Sequence, residues 1–129
     1  MKQLSYLFFA IILTFTACKN TQLVNPGDPI NVTYQKGVDR FEAGNYYDAD
    51  EFFEAVTRMG RGTNYAQDAQ FYLAESYYNN GSYILSEAEY ARFTSFYPRD
   101  ERREMADFKK AMSLFKQSPR YRLDQTATT

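Results

Sequence analysis

The chain has no histidine, no tryptophan and a single cysteine among its 129 residues. Without histidine the commonest general base and metal ligand is missing, and one thiol supplies neither an intrachain disulfide nor a cysteine metal cluster. Charge of neither sign prevails. Fifteen Lys and Arg against sixteen Asp and Glu leave a net charge of −1, so long-range attraction to nucleic acid is not indicated. No Gly-rich phosphate loop and no Ser or Cys nucleophile arrangement is present. Paired acids such as Asp50 and Glu54, or Glu87 and Glu89, fall on helix faces that read as exposed, with no imidazole beside them. The expectation is a protein that is not an enzyme, with no catalytic residue, no metal and no cofactor.

What the chain has in quantity is tyrosine and phenylalanine, twelve and eleven respectively, and their placement recurs. A shift of 37 residues superposes Tyr34, Phe71 and Phe108, then Gly37, Ala74 and Ala111, then Phe41, Tyr78 and Phe115. Gly44 falls on Gly81 and Tyr46 on Tyr83. The order is aromatic, small, aromatic: the small residue lets a neighbouring helix come close, and the aromatics fill the space on either side. A fixed period of this length is the mark of stacked helical repeats.

Each copy reads as a helix pair. From Asp68 to Pro98 the chain carries Leu73, Tyr77 and Asn80 on one helical face, then Tyr83, Ser86, Tyr90, Phe93 and Tyr97 at alternating intervals of three and four. Asn80-Gly81 joins the two, since Gly suits the left-handed position that ends a helix, and Pro98 stops the second. In the first copy the helices run from about Asn31 to Ala43 and from Tyr46 to Met59. The second of these has a stripe of Tyr46, Ala49, Phe53 and Val56 and an opposite acidic face of Asp48, Asp50, Glu51 and Glu54, read as solvated. A fifth helix, about Glu101 to Lys116, has Ala106, Phe108, Lys110, Ala111, Met112 and Phe115 around its inner side. After Pro98 the charge turns basic, with eight Lys or Arg against five acids up to Asp124. Acids are interspersed, so Arg102, Arg103, Lys109 and Lys110 read as an ordinary polar helix face.

The amino terminus is of another kind. Residues 1–17 read as a targeting leader: Lys2, then an apolar run from Leu4 to Phe15, too short for the about 20 residues a bilayer span needs. Thr16-Ala17 leads into the lone Cys18, which resembles a lipobox and makes Cys18 the expected lipidation site. Residues 18–31 are the tether; Asn25-Pro26-Gly27-Asp28-Pro29 is turn-rich and lacks periodicity. The domain proper is 32–129, with repeats at about 32–63, 65–98 and 101–129, the last incomplete. Ser118 stands where Gly44 and Gly81 make their turns, and a sixth helix is expected near Asp124, which suits its cap. An odd helix leaves Phe108, Met112 and Phe115 half covered, so the chain is expected to be the amino-terminal part of a longer protein.

In Leu73, Ala74, Tyr77, Tyr78, Gly81, Tyr83, Tyr90 and Pro98 the chain resembles the tetratricopeptide repeat family. The first copy keeps Gly37, Phe41, Gly44, Tyr46, Ala49 and Phe53, with Lys36 where Leu is usual and Ser86 in the second copy replacing Ala. The period exceeds the ~34 residues of such repeats, and the extra length is placed in Gly60-Arg61-Gly62-Thr63. The resemblance implies an all-α solenoid of about two and a half helix-hairpin repeats. First helices of successive pairs would line its concave side, making Tyr34, Val38, Glu42, Phe71, Glu75 and Asn79 the candidate groove positions. Aromatic area with a few acceptors suits an extended segment with an aromatic end. Glu42, Glu75 and Asn79 are expected to be exposed; Tyr34 and Phe71 are as readily explained by packing between repeats.

The lipobox, the spacing, Ala88–Pro98 and the ending Ser118–Thr126 together resemble the outer-membrane β-barrel assembly lipoproteins of the BamD (ComL) type. That resemblance implies a periplasm-facing scaffold on the outer membrane, held by its lipid anchor. Its implied partners are a barrel insertase and nascent outer-membrane proteins, with no nucleic acid. The alternative is another tetratricopeptide envelope lipoprotein, serving nutrient or glycan capture or envelope maintenance.

Overall fold

Two glycines set the turns. Gly44 and Gly81 have φ of 76° and 85°, a region that costs other residues strain. In both places the amide three residues past the helix reaches back to an orphan carbonyl: Asn45 N to Arg40 O at 2.9 Å and Ser82 N to Tyr77 O at 2.9 Å. Each helix therefore folds back on its predecessor. The computed structural model describes residues 23–118, and within them five helices follow one another: α1 (Ile30–Glu42), α2 (Tyr46–Met59), α3 (Asn64–Asn79), α4 (Tyr83–Phe96) and α5 (Arg103–Gln117). Each packs on the next, and α1 also touches α3. This is an all-α, tetratricopeptide-like solenoid. The leader, Cys18 and the anticipated sixth helix lie outside the described residues.

The bounds follow the sequence with two shifts. Helix α1 starts at Ile30, whose side chain packs on the core of the first repeat. Helix α3 starts at Asn64, ahead of the Asp68 at which the periodic pattern begins, because Thr63 Oγ1 accepts the Ala66 amide at 3.2 Å.

Small residues decide how closely the helices meet. Gly37 is buried, and a Cβ there would stand 2.9 Å from the Phe53 ring and 3.1 Å from Phe52 Cβ. Its counterpart Ala74 is also buried, and Ser86 Oγ donates to the Ala74 carbonyl at 3.1 Å. Two clusters result. Ala49, Phe53, Val56, Ala69 and Leu73 form one; Ala74, Tyr90, Phe93 and Ala106 form the other. Each buried aromatic contributes about 1.5–3 kcal/mol.

Helix α5 differs from the expected pattern. Its buried line is Ala106 and Ser113, while Phe108 and Phe115 are 62% and 74% exposed and Ala111 is exposed too. In the complete repeats the counterparts Tyr34, Phe71, Phe41 and Tyr78 are half-buried against the helix that follows them. Ser113 joins Ser86 Oγ at 3.1 Å and donates to Lys109 O at 2.9 Å. The serine pair joins α5 to α4, and the buried Ala106 and Ser113 repeat the buried Ala69 and Ser76 of α3.

Leu introduced at Gly37 or at Ala74 should lower stability by about 1–3 kcal/mol or more through overpacking. The same change at Ala111, in the exposed third copy, should stay within about 0.5 kcal/mol. Denaturant midpoints of the three variants check this.

Candidate functional site

The first helix of each repeat carries the candidate residues. On α1, Tyr34 is half-buried: its ring lies 5.5 Å from Tyr65, 6.0 Å from Phe53 and 6.5 Å from Tyr72. Val38 is half-buried against the first cluster, and Glu42 is exposed. On α3, Phe71 packs edge-on to Phe93 at 5.3 Å and Tyr90 at 6.1 Å. Asn79 is exposed, its side-chain amide donating to Glu75 O at 2.8 Å.

Glu75 is where the expectation of exposure fails. Its side chain is 14% exposed; Tyr90 Oη donates to Oε1 and Lys109 Nζ to Oε2 at 3.1 Å. The cause lies in the repeat. Val38 packs on the cluster that holds Phe53 in the first copy; the second has Glu75 and Tyr90 at the same two places, so the added hydroxyl meets an added acceptor. Burial, then the Glu75 hydrogen bond, push the Tyr90 phenol well above its ordinary range.

Two basic residues read as surface also turn inward. The Arg102 guanidinium lies 5.0 Å from the Phe71 ring centre and 5.5 Å from Phe93. It also donates to Asp68 at 2.8 Å and Asp100 at 2.7 Å. Hydrogen bonding to Arg102 holds the Asp100 carboxyl far below the usual range, burial opposing and Gln67 assisting. Lys109 Nζ lies 4.4 Å from the centre of the Tyr78 ring. Arg102 at the N-cap of α5 and Lys109 within it therefore cover Phe71 and Tyr78.

The aromatic surface left open is at the other end of the row. Tyr34 and Tyr65 bound a shallow recess of about 500 Å³ with Val32, Lys36, Gln35 and Asp39. Tyr65 and Val32 are 41% and 38% exposed. Burial, then the charge of Asp68, push the Tyr34 phenol up to about 12, so it stays a neutral hydroxyl. The recess offers aromatic faces, while its Lys36 ammonium is paired with Asp28 at 2.6 Å and its Gln35 amide donates to Asp39 at 3.0 Å. Tyr65, Gln35 and Lys36 were missed from sequence. Tyr65 falls in the first turn of α3, a stretch that carries no periodic pattern before Asp68.

With this geometry in place, comparison with known proteins identifies the lineage. The family model described as "YfiO: Outer membrane lipoprotein" matches residues 26–129. The chain belongs to the YfiO outer membrane lipoprotein family. It is also 27% identical over 110 residues to the outer membrane protein assembly factor BamD of Caulobacter vibrioides, a match covering 85% of this chain and 36% of that protein. The chain thus spans about a third of the length of that relative. The YfiO match includes all five described helices and every candidate groove position.

Away from the recess, α2 carries an electrostatic conflict. Burial, then Glu51 and Glu54, push the Asp50 carboxyl up to about 6. A raised folded-state value means stability fully present below the unfolded pKa and lost as pH climbs through about 6. Asp50→Asn should therefore raise the melting temperature at about pH 8 and do little at about pH 4, as thermal melts across that range will read. Glu75→Ala should cost about 1–3 kcal/mol by stranding the Tyr90 hydroxyl. The pair Glu75→Val with Tyr90→Phe, copying the first repeat, should recover most of that loss in urea titrations.

Proposed function

We propose that this chain is a non-catalytic scaffold of the β-barrel assembly machinery, anchored through Cys18 to the periplasmic side of the outer membrane. Residues 1–17 are its lipoprotein leader, 18–31 the lipidated tether, and 32–129 the repeat domain. The domain receives segments of nascent outer-membrane proteins on the way to a barrel insertase. The YfiO match over residues 26–129 carries this reading, and the printed name of the Caulobacter vibrioides relative, outer membrane protein assembly factor BamD, points the same way.

Within the repeats, the Tyr34–Tyr65 recess is the receiving surface for an extended segment with an aromatic end. Glu42 and Asn79 are accessible hydrogen-bonding groups on the same two helices. Val38, Phe71 and Glu75 support that surface from behind: Val38 packs in the core, and α5 cations hold Phe71 and Glu75. Binding there is stacking and hydrogen bonding, with no bond made or broken.

Two measurements test the proposal. Cys18→Ser should move the protein from the membrane fraction into the soluble periplasm and abolish labelling by radioactive palmitate; retention with label would refute the anchor. A fluorescent extended peptide ending in phenylalanine should bind the chain, and Tyr65→Ser should weaken it about tenfold or more, as loss of one aromatic stacking contact implies. Unchanged affinity places the segment elsewhere. Saturable binding of a glycan in place of the peptide would favour an envelope lipoprotein of another kind.

A further inference from the structure

The loops between repeats lie together at one edge of the solenoid, and the chain from Cys18 arrives there. Ile30, the first residue of α1, packs against Gly60 so closely that a Cβ at Gly60 would collide with Ile30 Cδ1. The tether therefore meets the domain beside Gly60-Arg61-Gly62. Twelve residues separate Cys18 from Ile30, which even fully extended keep this edge within about 40 Å of an acyl anchor.

The same edge carries an uncommon combination. Met59 and Phe96, the counterparts in successive repeats at the ends of α2 and α4, are 47% and 63% exposed. Between these helices runs a cleft of about 490 Å³ lined by Arg58, Arg61, Arg92, Phe96, Glu54 and Glu89 among others. Glu89 is already held by Arg92 at 2.8 Å and by Gln70 at 2.7 Å. Arg58 and Arg61 make no ion pair among the described residues, which leaves two exposed guanidinium groups against one free acid, Glu54. Arg99, in the next loop, is exposed and likewise without an ion pair, as is its neighbour Glu101, so among the described residues three free arginines face two free acids at this edge. The opposite edge, at the Gly44 and Gly81 turns, has Asp48, Asp50 and Glu51 instead.

We propose that this loop edge is a docking surface for an anionic lipid bilayer. Arg58, Arg61 and Arg99 engage headgroup phosphates, for which the guanidinium fork is suited, and Phe96 and Met59 seat at the headgroup–acyl boundary. The orientation argument rests on the Cys18 anchor proposed above; the charge and the exposed apolar side chains do not. With the lipid holding the chain close, the edge fixes how the solenoid stands on the membrane, and the Tyr34–Tyr65 recess, in the amino-terminal turns of α1 and α3, borders it.

The test uses the full chain carrying Cys18→Ser, so that no acyl group contributes and failure of the anchor reading cannot be mistaken for failure of this one. Sedimentation with vesicles of phosphatidylcholine alone is compared with an equal mixture of phosphatidylcholine and phosphatidylglycerol. The expected result is stronger partition to the anionic vesicles. Arg58→Gln with Arg61→Gln should reduce that preference about 25-fold, at roughly fivefold per arginine. Phe96→Ser should weaken binding further, and Lys116→Gln at the opposite edge should change nothing. Because every variant shares the leader, its contribution cancels. Equal partition to both vesicles, or a preference that survives the double arginine change, overturns the proposal. So does a chain that ignores vesicles yet is retained on polyaspartate, which would make an acidic polypeptide the partner of this edge.

Discussion

The fit of an aromatic ring against a residue too small to resist it underlies the whole stack. Phe53 is fully buried, lies against Gly37, and stacks on Tyr72 at 5.3 Å with 16° between the rings. It therefore ties α2 to α1 behind it and α3 ahead of it. Tyr90 does the same a repeat later, reaching Phe71 across Ala74. Neither hairpin can bury its stripe alone; closure comes from the neighbour. An added side chain at Gly37 has nowhere to go because the Phe53 ring it would meet is already stacked on Tyr72.

Polar groups enter this aromatic core only in matched sets. Among the described residues no buried side-chain nitrogen or oxygen lacks a partner. The first repeat is the more apolar version, with Val38 packed on the cluster of Phe53, and Phe52 and Thr33 both buried. The second replaces the one pair by Tyr90 and Glu75 and the other by Glu89 and Gln70, joined at 2.7 Å. An unpaired buried acceptor or hydroxyl would cost about 1–3 kcal/mol, so such replacements are tolerable only together. The polar second repeat is also the one that α5 covers, through Lys109 on Glu75 and Arg102 on Asp68 and Asp100.

That coupling explains what was legible in the residues and what was not. Helix order, turn glycines and the buried line of Ala49, Phe53, Ser86, Tyr90 and Phe93 follow from spacing, because burial in a hairpin depends on which face a residue occupies. Glu75 shares a helix face with positions that line grooves, yet its fate depends on a hydroxyl 15 residues further along. Reading down the repeat would have exposed it, since the change from Val38 to Glu75 accompanies that from Phe53 to Tyr90. Arg102 and Lys109 are harder. Interspersed acids make their helix look solvated, and only the crossing of α5 over α3 brings both cations onto aromatic rings. Phe108 and Phe115 were expected to be only half covered, and in α5 they are the exposed large side chains.

Antiparallel hairpins also sort function along the helix axes. Every turn within a repeat lies at one edge and every loop between repeats at the other, so residues near helix ends gather into two surfaces of distinct character. Asp48, Asp50 and Glu51 lie at the turn edge, where burial, then Glu51 and Glu54, push Asp50 up to about 6. Such a surface is repelled by phosphate. Arg58, Arg61 and Arg99 gather at the loop edge because Arg58 sits in the last turn of α2, where a cation also complements the helix dipole, and Arg61 and Arg99 lie just beyond the ends of α2 and α4. The recess between Tyr34 and Tyr65 lies between first helices of adjacent repeats, in their amino-terminal turns. Hairpin geometry therefore sets this open aromatic surface beside the basic loop edge and away from the acidic turns.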